Sequence, residues 1–422
     1  MTTIILVGAF LFADEKVPLS PSLKNALYLT TIASSVIAST LYSPTSLTIL
    51  NYANAFLSVA YALRAIELLI LSKPGQLTRL ERVNAASARE YAWKPMPPTL
   101  SPARLLAVCN LLINPRGIGW AHGSRRYLPQ LEKLNASSQN GSHPKPEEKR
   151  RKENEKFVLK DKAQSRLPFL AKEAFKLFIA YLFPLILDVT QTPAIREYNL
   201  GLQLRPSPQT SAKLVRRFLL PPACWAACYA FIDGIHAAVA LIDVGGLYLV
   251  LPALASDPWM YPPVFGPWRY IFWPRLKDIW GKLWHDLCRR ALISGSTVLI
   301  PRRSSVGLRR ALVGFLSFVI SGVVHAAGTY AVSKDLHAVL MIMVFFTLLP
   351  LFLALQEAVS VQILERFLPD FYITRAIIWV LDAAYIICWG YHTAPLFFKY
   401  SMIPESLVSV PVPAHWSFWE GS

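Results

Sequence analysis

The chain has 422 residues, 54% of them hydrophobic and 16% charged, with a formal net charge of +17. Soluble domains carry more charge and shorter apolar runs. Together with a mean hydropathy of +0.36, this composition argues for an all-α, polytopic integral membrane protein. The alternating strands of an outer-membrane barrel are absent. The basic residues lie in loops between apolar stretches, where they set topology and meet the anionic lipid bilayer rather than nucleic acid. Five cysteines show no metal-like clustering, and Cys224 and Cys228, one helical turn apart, read as packing residues.

In chain order, the first residues have an apolar core but neither a basic start nor a small-x-small cleavage site. They read as a short first helix or lumenal cap, not a cleaved signal. The stretch 27–42 is short for a span, and 45–71 is longer. It carries Arg64 and Glu67, three apart on one helical face and able to neutralise each other. The polar stretch 72–104 reads as a loop with at most one surface helix. These first 104 residues form one unit of membrane helices and a basic loop. After a short apolar run at 105–113, Asn114-Pro-Arg-Gly-Ile-Gly-Trp120 ends any helix in a tight turn. The run 129–166, dense in mixed charge, reads as a disordered cytosolic linker. Its acceptor-like Asn135-Ala-Ser and Asn140-Gly-Ser then lie on the wrong side for glycosylation.

Spans are expected at 167–189, 218–251, 311–332, 336–355 and 371–396, followed by a tail at 401–422. The apolar stretch 218–251 is interrupted by Asp233, His236 and Asp243. The Lys/Arg-rich loops 73–104, 116–166 and 269–310 can all face the cytosol with an even number of spans between them. The whole predicts about 7–9 membrane helices around a buried tunnel. No internal repeat is visible, which counts against an inverted-repeat transporter or similar non-catalytic membrane protein.

Two histidines carry the visible chemistry. His325 lies in mid-span, where an ionisable side chain is costly and marks a functional candidate. A packing role, with Ser321-Gly322 as a small-residue patch, is the plain alternative. Asp382 in the last span lies at a comparable predicted depth and could orient the ring. His285 sits on the Trp-rich stretch 271–290, whose apolar spacing predicts an amphipathic interfacial helix. There it could equally be a passenger in an aromatic belt.

Trp280-x3-Trp284-His285, followed by Ser321-Gly322-x-x-His325, resembles the fungal wax-synthase-like branch of the membrane-bound O-acyltransferases. The Pro-Pro-x-Phe-Gly turn at 262–266 and the 114–120 run strengthen the likeness. Lys282 and Ile279 depart from the family's arginine and phenylalanine. The likeness covers roughly residues 100–400 and makes 105–400 an acyltransferase core. It implies an enzyme at the endoplasmic reticulum with no bound cofactor or metal. Acyl transfer would run from acetyl-CoA to the hydroxyl of a lipophilic, terpenoid-like secondary metabolite. A long-chain acyl-CoA:alcohol transferase making wax or sterol esters is the alternative. By the likeness, His325 is the general base and His285 a second catalytic residue, with Trp284 and Asp286 beside it and Asp382, placed by its depth, in support. Lys282, Arg289 and Arg290 would meet the phosphates of CoA.

Overall fold

The structure, a computed structural model, describes residues 2–42, 45, 48–72, 74–83, 90–123, 127–128, 131–133, 156–159, 165–190, 209–250, 255–301, 303–367 and 371–401. Helices α1 (Thr2–Ala13), α2 (Pro21–Leu41) and α3 (Thr48–Ala65) pack together at the N-terminal side. Val7 and Leu11 of α1 are fully buried against α4 (Pro102–Ile113) and α3. α3 runs on through a π-helical turn to Leu71, and Arg64 meets Glu67 there as an ion pair. Helices α5 (Arg166–Thr190) and α6 (Gln209–Ala240) form a second pair, with α6 continuing through a π turn to Val250. The last helices are α7 (Arg289–Leu299), α8 (Val306–Ser333), α9 (Leu336–Glu357) and α10 (Tyr372–Tyr400).

Among the described residues, five helical runs are long and apolar enough to cross a membrane: Thr48–Leu71, Trp225–Val250, Val306–Ser333, Leu336–Gln362 and Tyr372–Phe398. The chain is an integral membrane helical protein. Many outward side chains on these runs are apolar, among them Leu351, Leu355, Val380 and Ile387. Lipid rather than water is the solvent that such a surface fits.

The loop 72–104 differs from expectation. It folds into β1 (Thr78–Arg82) and β2 (Glu90–Pro95), which join β3 (Leu131–Lys133) and β4 (Lys156–Leu159) in an antiparallel sheet of order β1-β2-β4-β3. Leu80 and Tyr91 face inward with Trp93 and Trp259, while Arg79, Glu81 and Lys94 take the other positions. The strands are short and their apolar positions are mixed with as many charges, so the period-2 signal is weak. Residues 131–133 and 156–159 are therefore sheet rather than disordered linker. Residues 129–130, 134–155 and 160–164, with both glycosylation motifs, and the tail beyond 401 lie outside the described residues.

Asp257, after the α6 run, binds two of the basic loops together, taking ion pairs from Arg82 and Arg166 and a hydrogen bond of 2.6 Å from the Tyr91 hydroxyl.

The stretch 271–290 is also not the single amphipathic helix predicted. It is a 3₁₀ turn at Trp268–Ile271, one α turn at Leu276–Asp278 and a π turn at Ile279–Leu283, followed by extended backbone at Trp284. Pro267 and Pro274 break the helix. Trp268 and Trp273 face outward, but Trp280 and Trp284 turn inward onto Trp225 of α6. Gly266 lets this segment fold back tightly. Its N–H donates to the Leu283 carbonyl at 2.8 Å, and an added Cβ would lie 1.8 Å from the Lys282 oxygen.

Gly266→Ala is therefore expected to lower stability by about 3 kcal/mol or more, at or above the upper end of overpacking costs. Gly281→Ala, where nothing lies within 4 Å of the added carbon, is expected to stay within about 0.5 kcal/mol of wild type. Melting curves of the detergent-solubilised protein check the contrast.

Candidate active site

α3 presents a stripe of Ile49, Tyr52, Phe56, Tyr61 and Arg64 to a single cavity of about 450 Å³. From Ile49 to Arg64 the stripe runs roughly 22 Å at 1.5 Å per residue. α6 supplies Cys228, Phe231, Ile235 and His236 to the same cavity. His285 and Cys288 enter from the loop before α7, and His325 from α8. The two sequence-predicted histidines thus line one cavity. Its walls are mostly apolar, with Arg64, Asn114, Arg116 and His236 among its polar lining groups.

His325 is held by aromatic rings. Phe346 of α9 stacks on it at 4.8 Å between centroids, and Phe56 and Phe397 meet it edge-on at 5.0 and 5.5 Å. Its Nδ1 lies 2.9 Å from the Tyr52 hydroxyl.

Asp382 is not its partner. This carboxylate accepts from Gln356 Nε2 at 2.9 Å, from the Ser360 hydroxyl and from Arg275. Phe346 and Gln356 stand about 15 Å apart along α9, so Asp382 lies well away from the level of His325. With Gln356, which also accepts from Leu276 N–H and donates to the Pro274 carbonyl, it anchors the start of the 276–283 turns.

His285 packs edge-on against Phe265 and beside Trp284, and its Nδ1 has no hydrogen-bond partner. Burial pushes its pKa down to about 4; the Asp286 charge opposes this and Arg289 adds to it. The ring is therefore neutral at pH 7. Trp284 sits 4.7 Å from Trp225 and 5.4 Å from Phe265, which fixes the backbone just before His285. Asp286 points away from the cavity and accepts from Arg116 at 3.3 Å and from the Tyr127 hydroxyl.

Arg116, from the Asn-Pro-Arg-Gly turn, is the group that sequence reading passed over. Its Nη2 donates to the Pro262 carbonyl at 2.6 Å and to His236 Nε2 at 3.0 Å. Its Nη1 donates to the Pro263 carbonyl at 3.0 Å and to Asp286. Arginine has no lone pair to offer, so His236 carries its proton on Nδ1. Gly117 and Gly119, at φ +64° and +81°, give the turn the left-handed backbone that brings Arg116 inward. The motif was visible in the sequence, but its target was not.

The three expected phosphate-binding residues stand outside the cavity lining. Lys282 pairs with Asp278 on the surface, Arg289 donates to the Gly281 carbonyl, and Arg290 pairs with the buried Glu67. The cations that do line the cavity are Arg64 and Arg116.

His122 sits beside Trp120, and neither of its ring nitrogens has a hydrogen-bond partner. Burial, then the charges of Arg64 and Arg290, push its pKa down to about 3. His122 and His285 fold as neutral rings, whereas in the unfolded chain they titrate near 6.5. Between pH 6.5 and 4 the unfolded chain therefore binds more protons. Stability is full above about pH 6.5 and falls as the pH drops below it. Melting temperatures measured from pH 7.5 to 4.5 are expected to decline, and His122→Leu is expected to flatten the decline.

Residues 261–348, from the Pro-Pro turn to just past Phe346, match the model of the membrane bound O-acyl transferase family. Among curated proteins, the chain is 36% identical over 84 residues to acetyltransferase ple2 of Rhodocybe pseudopiperita, covering 19% of this chain and 22% of that one. It is 38% identical over 115 residues to O-Mevalon transferase macI of Penicillium terrestre, covering 24% and 26%. It is 27% identical over 186 residues to acetyltransferase aurG of Calcarisporium arbuscula, covering 41% and 40%. The chain thus spans about a fifth to two fifths of the length of these relatives. No solved structure matches it. The stretch that brings the Pro-Pro turn, His285 and His325 together is the part of the chain that is similar to the membrane bound O-acyl transferase family.

Proposed function

We propose that the chain is an acyl-CoA-dependent O-acetyltransferase of the endoplasmic reticulum membrane, acting on a hydroxyl of a lipophilic secondary metabolite of terpenoid type. The observation that carries this reading is that His285 and His325, both within the matched stretch, line one mostly apolar cavity. Its volume of about 450 Å³ lies in the range of small-molecule sites, roughly 300–1,000 Å³. Two of the three relatives named above are called acetyltransferases, which supports acetyl as the group transferred.

An alcohol is a weak nucleophile until a base takes its proton. In the proposed step His325 Nε2 removes the proton of the acceptor hydroxyl as its oxygen attacks the thioester carbonyl. The C–O bond forms, the C–S bond breaks, and the CoA sulfur leaves with the proton that His325 returns. His285, a neutral ring with an unpaired nitrogen, is suited to donate to the thioester oxygen as charge gathers there. Cys288 also lines the cavity, but burial pushes its thiol up to about 11. It stays protonated and is a poor nucleophile, which favours direct transfer over an acyl-enzyme.

The anionic part of CoA has two places to bind. Lys282 is half-exposed, pairs with Asp278 and lies over the Tyr270 ring at 5.2 Å; an exposed ion pair is worth at most about 1 kcal/mol, so it can exchange that carboxylate for phosphate. Arg290 is committed to buried Glu67 and is the weaker candidate. Inside the cavity, Arg64 and Arg116 are held by Glu67 and by four acceptors respectively, and they contribute positive potential near Asn114.

In microsomes given labelled acetyl-CoA and a panel of lipophilic alcohols, His325→Ala is expected to lose about 100-fold or more of the transfer rate while still inserting. A residual rate above about a tenth of wild type would remove the base role. His285→Ala is expected to lower kcat and raise the KM for the acyl-CoA.

Competition between acetyl-CoA and palmitoyl-CoA for one acceptor decides donor length. Each buried methylene contributes about 0.8 kcal/mol, so an enzyme built for long chains would select palmitoyl by a wide margin. Acetyl incorporation is expected to dominate.

A further inference from the structure

We propose that Tyr52, on the first membrane-spanning run and outside the matched family stretch, is the positioning residue of His325. It holds Nδ1 so that the Nε2 lone pair faces the cavity. The proposal rests on the base role of His325 given above and deepens it.

The geometry is local and specific. The Tyr52 hydroxyl lies 2.9 Å from His325 Nδ1. The phenol ring reaches that point only because residue 328, one turn further along α8, is glycine. A Cβ there would stand 2.8 Å from two ring carbons of Tyr52. Phe56, one turn along α3, meets the imidazole edge-on at 5.0 Å, and Tyr52 and Phe56 stack on each other at 6.0 Å. Tyr52 is itself buried, with 6% of its surface exposed. Two adjacent turns of α3 therefore address the same ring, one with a hydroxyl and one with an aromatic face.

The chemistry follows from the two nitrogens. A base at Nε2 needs its proton on Nδ1, and the hydrogen bond made by one nitrogen sets the tautomer at the other. A phenol oxygen accepts Nδ1–H and keeps that hydrogen bond when the ring becomes imidazolium. It does so without placing a second full charge at membrane depth.

Tyr52→Phe removes one oxygen and keeps the ring. The expected result is a loss of about tenfold in kcat, equivalent to roughly 1.4 kcal/mol. The KM for acetyl-CoA should stay within about twofold and the melting temperature should fall by no more than about 4 °C. Gly328→Ala keeps the hydroxyl but forces the ring aside, and it is expected to cost a similar factor in kcat. Because both changes break one contact, the double variant should be no slower than the worse single one. Tyr52→Phe with kcat within twofold of wild type would overturn the proposal. So would a loss matched by an equal rise in KM, or losses that multiply in the double variant. His325→Ala in the same assay separates the two ideas. If it stays active, the base reading fails. If it is dead while Tyr52→Phe runs at the wild-type rate, only the Tyr52 role fails.

Discussion

Arg116 donates to two consecutive backbone carbonyls, a histidine and a carboxylate, and the shape of the site depends on that one guanidinium. The carbonyls of Pro262 and Pro263 belong to an irregular turn with no helix or strand to satisfy them. Backbone carbonyls left unpaired out of water are costly. Lysine has a single nitrogen and cannot serve four acceptors in a fork. Once Arg116 fixes the Pro-Pro turn, Gly266 fixes Lys282 and Leu283, and the Asp286 N–H donates back to the Val264 carbonyl. His285 is then bracketed on both sides. The stretch matched by the family model is thus shaped by a residue more than a hundred positions before it.

Aromatic packing does for the membrane side what Arg116 does at the polar end. Trp225 of α6 touches Trp280, Trp284, Phe397 and Phe398, while Phe345 and Phe346 continue the cluster to His325. In lipid there is no hydrophobic drive between helices, so association relies on close packing and polar contacts. Large flat rings give much contact for few rotatable bonds. They also hold imidazole rings within the narrow tolerance that proton transfer needs. The Trp-x3-Trp spacing ahead of His285 is therefore structural: each tryptophan anchors the turn that delivers the histidine.

The apolar runs made the membrane helices legible, and an ionisable ring within one of them singled out His325. Other features lacked a signal in the sequence. Tyr52 is one of seventeen tyrosines, and an apolar helix with a tyrosine is unremarkable until another helix places an imidazole beside it. Asp382 misled because depth was counted from the start of each apolar run; Gln356 and Ser360 hold it well away from His325. The 271–290 stretch has true helical spacing, but Pro274 and a π turn cut the face in half. Part of it turns to the tryptophan cluster and part outward. The sheet stayed hidden because its strands are three to six residues long, with Leu80 alone among charges, and it takes the pairing of distant strands to make a core of Leu80 and Tyr91.

The choice of partner for a buried base also has a physical logic. A carboxylate beside His325 would raise the basicity of the ring, but it would bring a charge to membrane depth in the resting state, where an unpaired ion is costly. A phenol oxygen is neutral before and after the proton moves. It orients the ring at the cost of burying one hydroxyl that has a partner, and it leaves charge to appear only when substrate is present. Among the buried carboxylates, Glu67, Asp257 and Asp382 bind arginine, Glu173 binds Lys176 and Asp243 accepts from the Tyr261 hydroxyl. They act as struts that hold loops to helices, away from His325.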